Sequence, residues 1–297
     1  MLRQYRLPLF VISILWVGEL FAQPTVSYSR EIEAWHASRI NNLRSADGWL
    51  NLAGLYWLEE GRNSFGSDPV NKIVFPAATI AGSAGYFERN GNTVKIVVQN
   101  NVDIKVNGIA VKEAVIYGKD SGRSPVVTHG SLRWTIIRRD DKIGIRLRNL
   151  ESPQAAGFKD IERYPVDSTW RIAATLRKET YPQTISITNV LGQTSQQQTP
   201  GKLVFTISGK QYTLDALEEG DHLFVIFADA TSGKTTYPSG RFLYAKKPDA
   251  GGVTFIDFNK AFNPPCAFTP YATCPLPPKQ NVLDLEITAG EKNYGHH

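Results

Sequence analysis

Apolar positions in residues 28–44, YSREIEAWHASRINNLR, recur at helical spacing: Ile32, Trp35, Ile40 and Leu43 share one stripe. The spacing predicts an amphipathic helix lying on a β body. His36, within that segment, reads as a packing or surface residue rather than a catalyst. Asp47-Gly48 closes the helix, and the pattern then changes. Valine, isoleucine, threonine, tyrosine and phenylalanine recur in short stretches cut by glycine or proline, which predicts strands. WLNLAGLYWLEEG is a strand-like run turning at Glu60-Gly61. Further strands are expected over 72–75, 93–98, 103–106 and 110–116, with Asn107-Gly108 as a tight hairpin turn. Residues 132–138 and 144–148 bracket a turn at Asp140-Asp141, and adjacent Ile136 and Ile137 permit a bulge or a doubly buried strand.

SPQAAGF, residues 152–158, interrupts the strand pattern and sets a boundary between 150 and 165. Beyond Trp170 the runs WRIAATL, TISITNV, KLVFTISG, QYTLDAL, HLFVIFAD, RFLYAK and GVTFIDF read as strands of a meander, barrel or sandwich. GQTSQQQTP, residues 192–200, reads as a hairpin loop. The expected fold is mainly β: an N-terminal helix and a β-sandwich over 23–155, then an antiparallel barrel-like or sandwich unit over 156–297.

Residues 1–22 stand apart. Arg3 and Arg6 precede an apolar run from Leu7 to Gly18, and Ala22 offers a small residue for cleavage. This is the pattern of a secretory signal peptide, too short for a comfortable membrane span. A periplasmic or secreted protein is expected, with no stable span after cleavage. The formal net charge is +5, and losing Arg3, Arg6 and Glu19 leaves +4. Cations alternate with acids along the chain, so a nucleic-acid partner is not expected. Cys266 and Cys274 are the only cysteines. In an exported chain a disulfide is favoured over free thiols, and both over a metal site, because no histidine lies near to complete a tetrahedron. No cofactor or metal is expected.

Three segments carry a family resemblance: DGWLNLAGLYWLEEGRNSFGSDP, TSGKTTYPSGRFL, and DFNKAFNPPCAFTPYATCPLPPKQN with a later AGEK. Together they resemble the DUF1684 family of uncharacterised bacterial proteins, which implies no established activity. NSFGSDPVNKIVFP followed by DIKVNG resembles the forkhead-associated (FHA) β-sandwich, whose usual role is phosphothreonine recognition. Gly66 and Asn107-Gly108 match its scaffold. Ser67 stands where that family has an arginine, and GSAGYF stands near the place of its serine-x-x-histidine element. The resemblance therefore implies the fold without the phosphopeptide site.

Candidate chemistry gathers late in the chain. Asp257 to Pro278 holds both cysteines and six of the 17 prolines, yet it is aromatic and poor in charge. Such a segment is neither helix, central strand nor flexible linker, but a rigid cap packed on something. Before it, the loop after FAD brings Asp229, Lys234, Thr235 and Tyr237 towards Arg241. Alternation over Val253–Phe258 turns Asp257 inward with Val253 and Phe255, and a buried carboxylate needs a partner. Arg241, whose planar fork suits a carboxylate, is the expected one. Two readings of that pair stay open. In one, Arg241 and Asp257 pin the cap, with Asn259 and Asn263 capping its turns. In the other, Arg241 and Lys234 hold an anionic group, with Thr235, Tyr237, Asn259 and Asn263 among the ligand contacts. Asp257 or Asp229 then acts as general base, and Phe262, Phe268 and Tyr271 form an apolar wall. The expected function is binding of a small or extended anionic ligand in the C-terminal half. The alternatives are a metal-independent hydrolase using Asp257 or Asp229, and an envelope protein-interaction scaffold. Arg146 and Arg148, two apart on one strand, are read as solvent-facing charges or as an anion-binding surface between the two halves.

Overall fold

The computed structural model describes residues 27–118, 124–139, 141–178 and 183–295. The signal peptide expected over 1–22, and Asp140 of the expected turn, lie outside the described residues. Among the described residues no helix is long and apolar enough to cross a membrane.

Helix α1 (Tyr28–Arg44) buries Ile32, Ile40 and Leu43 of the expected stripe together with His36, while Trp35, expected in the stripe, is only half-buried. Eleven strands follow among the described residues. They are β1 (Leu52–Trp57), β2 (Gly61–Gly66), β3 (Ile73–Val74), β4 (Gly85–Asn90), β5 (Thr93–Val98) and β6 (Lys105–Val106). Then come β7 (Ile109–Ala110), β8 (Glu113–Tyr117), β9 (Val127–His129), β10 (Leu132–Arg139) and β11 (Lys142–Asn149). They form two sheets, ordered β1-β11-β10-β9-β6-β7 and β3-β2-β4-β5-β8. Phe65, Phe87 and Ile96 from one sheet meet Trp134, Ile145 and Leu147 from the other in a common core. In β10 and β11 every second residue enters that core, and the alternation runs unbroken through Ile136 and Ile137.

After the short helix α2 (Pro153–Gly157), eight strands make the second module: β12 (Arg171–Arg177), β13 (Gln183–Thr188), β14 (Thr194–Thr199), β15 (Gly201–Ile207), β16 (Lys210–Glu219), β17 (His222–Phe227), β18 (Arg241–Lys246) and β19 (Val253–Asp257). Six of them are ordered β18-β17-β16-β15-β12-β19. Thr254 Oγ1 donates to the Lys246 carbonyl at 2.7 Å where β19 comes back to β18, so the sheet is a nearly closed barrel. Leu203, Leu214, Val225, Phe227, Leu243 and Phe258 fill it. The remaining two strands, β13 and β14, pair as a separate ribbon. The segment expected as a loop, 192–200, thus contributes strand β14. TSQQQT has no apolar alternation to announce a strand; its backbone ladder and the Gln196–Ser186 and Thr188–Thr194 side-chain bonds hold it.

Helix α1 precedes the two-sheet module in sequence but packs on the barrel module. Ile40 and Leu43 join Phe158, Ile161, Ala267 and Phe268 in one apolar cluster. Its polar face reaches the same module: Tyr28 donates to Asp257 at 2.7 Å, Arg39 to Glu291 at 3.1 Å, and His36 bonds Asp160 at 2.8 Å. The two-sheet module is therefore inserted between α1 and the structure α1 belongs to.

Candidate functional site

The residues expected around Arg241 are brought together, but as a clamp. Arg241 opens β18 opposite Phe227, and its side chain has no solvent exposure. One guanidinium nitrogen donates to Asp229 at 2.8 Å and to the Ile287 carbonyl at 3.1 Å, the other to the carbonyls of Ala289 and Glu291. Asp229 in turn accepts from the Thr231 amide at 2.8 Å and the Ile287 amide at 3.3 Å. Burial pulls the Arg241 guanidinium down, and the facing Asp229 carboxylate opposes that. The group fastens the tail that carries Gly290, where φ is +78° and a Cβ would lie 2.5 Å from the Ala261 carbonyl oxygen. That close approach explains the glycine of the AGEK sequence.

The expected Arg241–Asp257 pair does not form. Asp257 lies at the far end of β19, opposite Arg171. Val253 and Phe255, expected inside with it, are 40% and 47% exposed, while Thr254 and Ile256 are buried. Asp257 is therefore on the outer face, and it is buried because α1 covers it. Its carboxylate accepts from Tyr28 and, at 3.2 Å, from the Asn259 amide, capping the turn Phe258–Lys260.

The other expected ligand contacts are mostly engaged within the protein. Asn259 donates to the Asp167 carbonyl at 2.8 Å and Asn263 to the Lys292 carbonyl at 2.7 Å. Thr235 and Tyr164 share a hydroxyl–hydroxyl bond of 2.6 Å. Exposed Lys234 faces Glu286 at 3.5 Å. Phe268 is sealed among Phe158 and Tyr294, with Tyr237 packed at that cluster, and Phe262 lies under the Arg39 guanidinium at 4.6 Å. Tyr271 remains partly exposed. A Cys266–Cys274 disulfide, with Cα atoms 6.1 Å apart, staples the cap, and Leu276 bonds the Thr188 carbonyl of the β13–β14 ribbon at 2.8 Å.

A different constellation is open. Strand alternation puts Arg133, Thr135, Ile137 and Arg139 of β10 on the face turned away from the shared core. The register sets them opposite Arg148, Arg146, Gly144 and Lys142 of β11. Over this face lies a cleft of about 600 Å³ lined by Asp47, Ser124, Arg133, Thr135, Arg146 and Arg148. Trp49, which follows α1 and packs on barrel-module clusters, stands 5.5 Å from the Arg146 guanidinium. The cleft thus sits where the two modules meet.

Its electrostatics are unbalanced. Half-buried Arg146 has no hydrogen bond or ion pair among the described residues, and its Nε is buried without a partner. Arg148 donates to the Asp47 carbonyl at 2.7 Å, but its Nε is likewise buried and unpartnered. The Asp47 carboxylate, 82% exposed, stands 3.7 Å from Arg133. Burial first, then Arg139 and Arg148, pulls Arg146 down to about 10; an arginine there still carries its charge at neutral pH. Arg148 is lowered by burial and Arg133, against the pull of Asp47. Buried cations without a counter-charge are costly, and a bound anion removes that cost.

The same-face spacing of Arg146 and Arg148 is visible in the sequence; Arg133, Thr135, Asp47, Trp49 and Ser124 are additions from the structure. A signal for the first two existed. Counting outward from a two-residue turn pairs Arg139 with Lys142, and hence Arg133 with Arg148 and Thr135 with Arg146.

Residues 156–292 match the family model described as protein of unknown function (DUF1684). The first resembling segment, DGWLNLAGLYWLEEGRNSFGSDP, lies outside that match. Among solved structures, an uncharacterised protein from Haloarcula marismortui, determined by solution NMR, is 28% identical. That match covers 48% of this chain and 82% of that one, with a TM-score of 0.41. The FhaA FHA domain, solved in complex with the intracellular domain of Rv3910, is 16% identical over 32% of this chain and 97% of that one, TM-score 0.23. A second FHA structure, from work on phosphothreonine-dependent FHA interactions, has the same identity and TM-score over 92% of its length. The similarity to FHA domains is thus distant and partial. No curated protein matches.

Proposed function

We propose that this protein binds an anionic ligand in the cleft between its two modules, over the arginine-bearing face of β10 and β11. The observation that carries the reading is the Arg146 guanidinium, half-buried beside Arg148 and Trp49 with no anionic side chain among the described residues paired to it. Arg133, Arg148 and the Thr135 hydroxyl surround the same space and supply further donors. The site differs from the C-terminal location the sequence suggests, where both terminal nitrogens of Arg241 are engaged by Asp229 and three carbonyls and its charge is paired, although its Nε is unpartnered. The arrangement of Asp229 and Asp257 gives no support to a hydrolase: each carboxylate is buried and bonded within the fold. The Cys266–Cys274 disulfide supports an oxidising, extracytoplasmic compartment.

Isothermal titration with inorganic phosphate and with citrate, at constant ionic strength, tests the reading. Saturable binding that Arg146→Gln abolishes is expected. Heat signals unchanged by R146Q, or no binding of either anion by the wild type, overturn it.

A further inference from the structure

The cationic face is longer than one small anion needs. From Arg133 to Arg139 the outer face of β10 runs six residue steps, about 20 Å. Its charges are spaced rather than bunched. Arg133 and Arg148 face each other at one end, and Arg146 comes one pleat further, opposite Thr135. A neutral gap at Ile137 and Gly144 follows, then Arg139 and Lys142. A lone phosphate or carboxylate engages one end of this row and leaves the other cations unused.

At the far end the row meets the barrel module. Arg139 lines a second cleft, of about 230 Å³, with Asn189, Gln193, Ser195 and Gln197 from the β13–β14 ribbon and Phe224 of β17. That wall is neutral: Asn189 donates to Gln193 and Gln197 to Ser195, with donors and acceptors to spare, and Ile187, Leu217 and Ile226 line it with them, a lining that suits the hydroxyls and C–H faces of a sugar rather than charges. Aromatic surface is placed at both positions: Trp49 beside Arg146, Phe224 beside the amides. Sequence-tolerant nucleic-acid binding needs a continuous series of rings on which successive bases stack. Here Trp49 lies beside Arg146, Trp57 against Gly144 and Lys142, and Phe224 in the second cleft, and the comparison with oligo-dT below separates that ligand from a sugar.

From this we infer that the ligand is an extended, hydroxyl-rich polyanion, an acidic oligosaccharide, running along the β10–β11 face and ending on the amides of the β13–β14 ribbon. The inference rests on the anion-binding reading and adds the class and length of ligand. Carboxylates or sulfates spaced along a sugar chain meet the spaced cations, and ring hydroxyls meet Ser195 and Gln197.

The test uses galacturonate and its linear oligomers of two, four and six units, titrated at constant ionic strength into the full chain, with oligo-dT of matching length as the comparison. Affinity is expected to rise at least tenfold from monomer to tetramer. Exposed Arg139→Gln is expected to erase that gain while leaving monomer binding intact; R146Q is expected to weaken both. Equal affinity for monomer and tetramer overturns the extended ligand and leaves the single-anion site standing. Tighter binding of oligo-dT than of the hexamer overturns the sugar assignment. Failure of every uronate while phosphate or citrate binds overturns the sugar assignment alone; failure of phosphate and citrate overturns the underlying reading itself.

Discussion

Arg241 and Asp229 form an ion pair of 2.8 Å in which neither side chain touches solvent, and the terminal nitrogens of the arginine also donate to the carbonyls of Ile287, Ala289 and Glu291 in the tail. Breaking such a pair leaves a buried charge uncompensated, which typically costs about 3–5 kcal/mol. Arg241→Ala should lower the urea midpoint accordingly and raise amide exchange at Ile287 and Glu291 first. Urea stability equal to the wild type would show that the tail does not depend on this arginine.

Arg146 stands in the opposite situation: its charge is buried before any ligand arrives. Replacing it with methionine, similar in length and uncharged, should leave the ligand-free protein as stable as the wild type or about 1 kcal/mol more stable, while removing anion binding. Thermal denaturation with and without added phosphate separates the two effects. A strongly destabilised ligand-free R146M would mean that the guanidinium serves the fold.

The disulfide closes a short loop, worth about 2–3 kcal/mol on the chain-entropy view. Reduction under native conditions should cost roughly that in a denaturant titration. It should also loosen the bonds from Val190 to the Cys274 carbonyl and from Leu276 to the Thr188 carbonyl, visible as faster amide exchange. Exchange at Val190 and Leu276 unaffected by dithiothreitol would detach the staple from the ribbon.

Helix α1 is held in part by Glu31, whose carboxyl is lowered by its hydrogen bond from Lys260, with burial opposing. A depressed folded-state value means that its stabilisation is present above the unfolded value, roughly 4.3, and lost as pH falls through the folded one. The pair is partly exposed, so solvent screening limits the effect to about 0.5 kcal/mol. Comparing wild type with Glu31→Gln, the gap in denaturation free energy should close below roughly pH 4. A gap that persists to pH 3 would assign it to something other than this carboxylate.

Much of the fold was readable because periodicity was strong. The stripe of Ile32, Trp35, Ile40 and Leu43 announced α1, with Trp35 only half-buried in it, and the alternation in β10 and β11 announced their hairpin. Strand β14 was hidden because TSQQQT buries almost nothing. Asp257 was placed on the wrong face because Val253 and Phe255, both apolar, lie outside, while the hydroxyl of Thr254 is turned in and satisfied by a neighbouring carbonyl. Arg241 had two acids within reach by sequence, and only the register, which seats it beside Phe227 and so near Asp229, decides between them. The arginine cleft was half legible: same-strand spacing gave Arg146 and Arg148, but Asp47 and Trp49 arrive through the tertiary path of the chain.

That path has a consequence for synthesis. The segment carrying Ile40 and Leu43 leaves the ribosome well before its docking partners: Arg39 bonds Asn263, 224 residues later, and Glu291, 252 residues later. A nascent chain therefore displays a greasy amphipathic helix until the barrel module behind it has been made, and docking that helix is a late step of assembly that waits on residues 224 or more positions away.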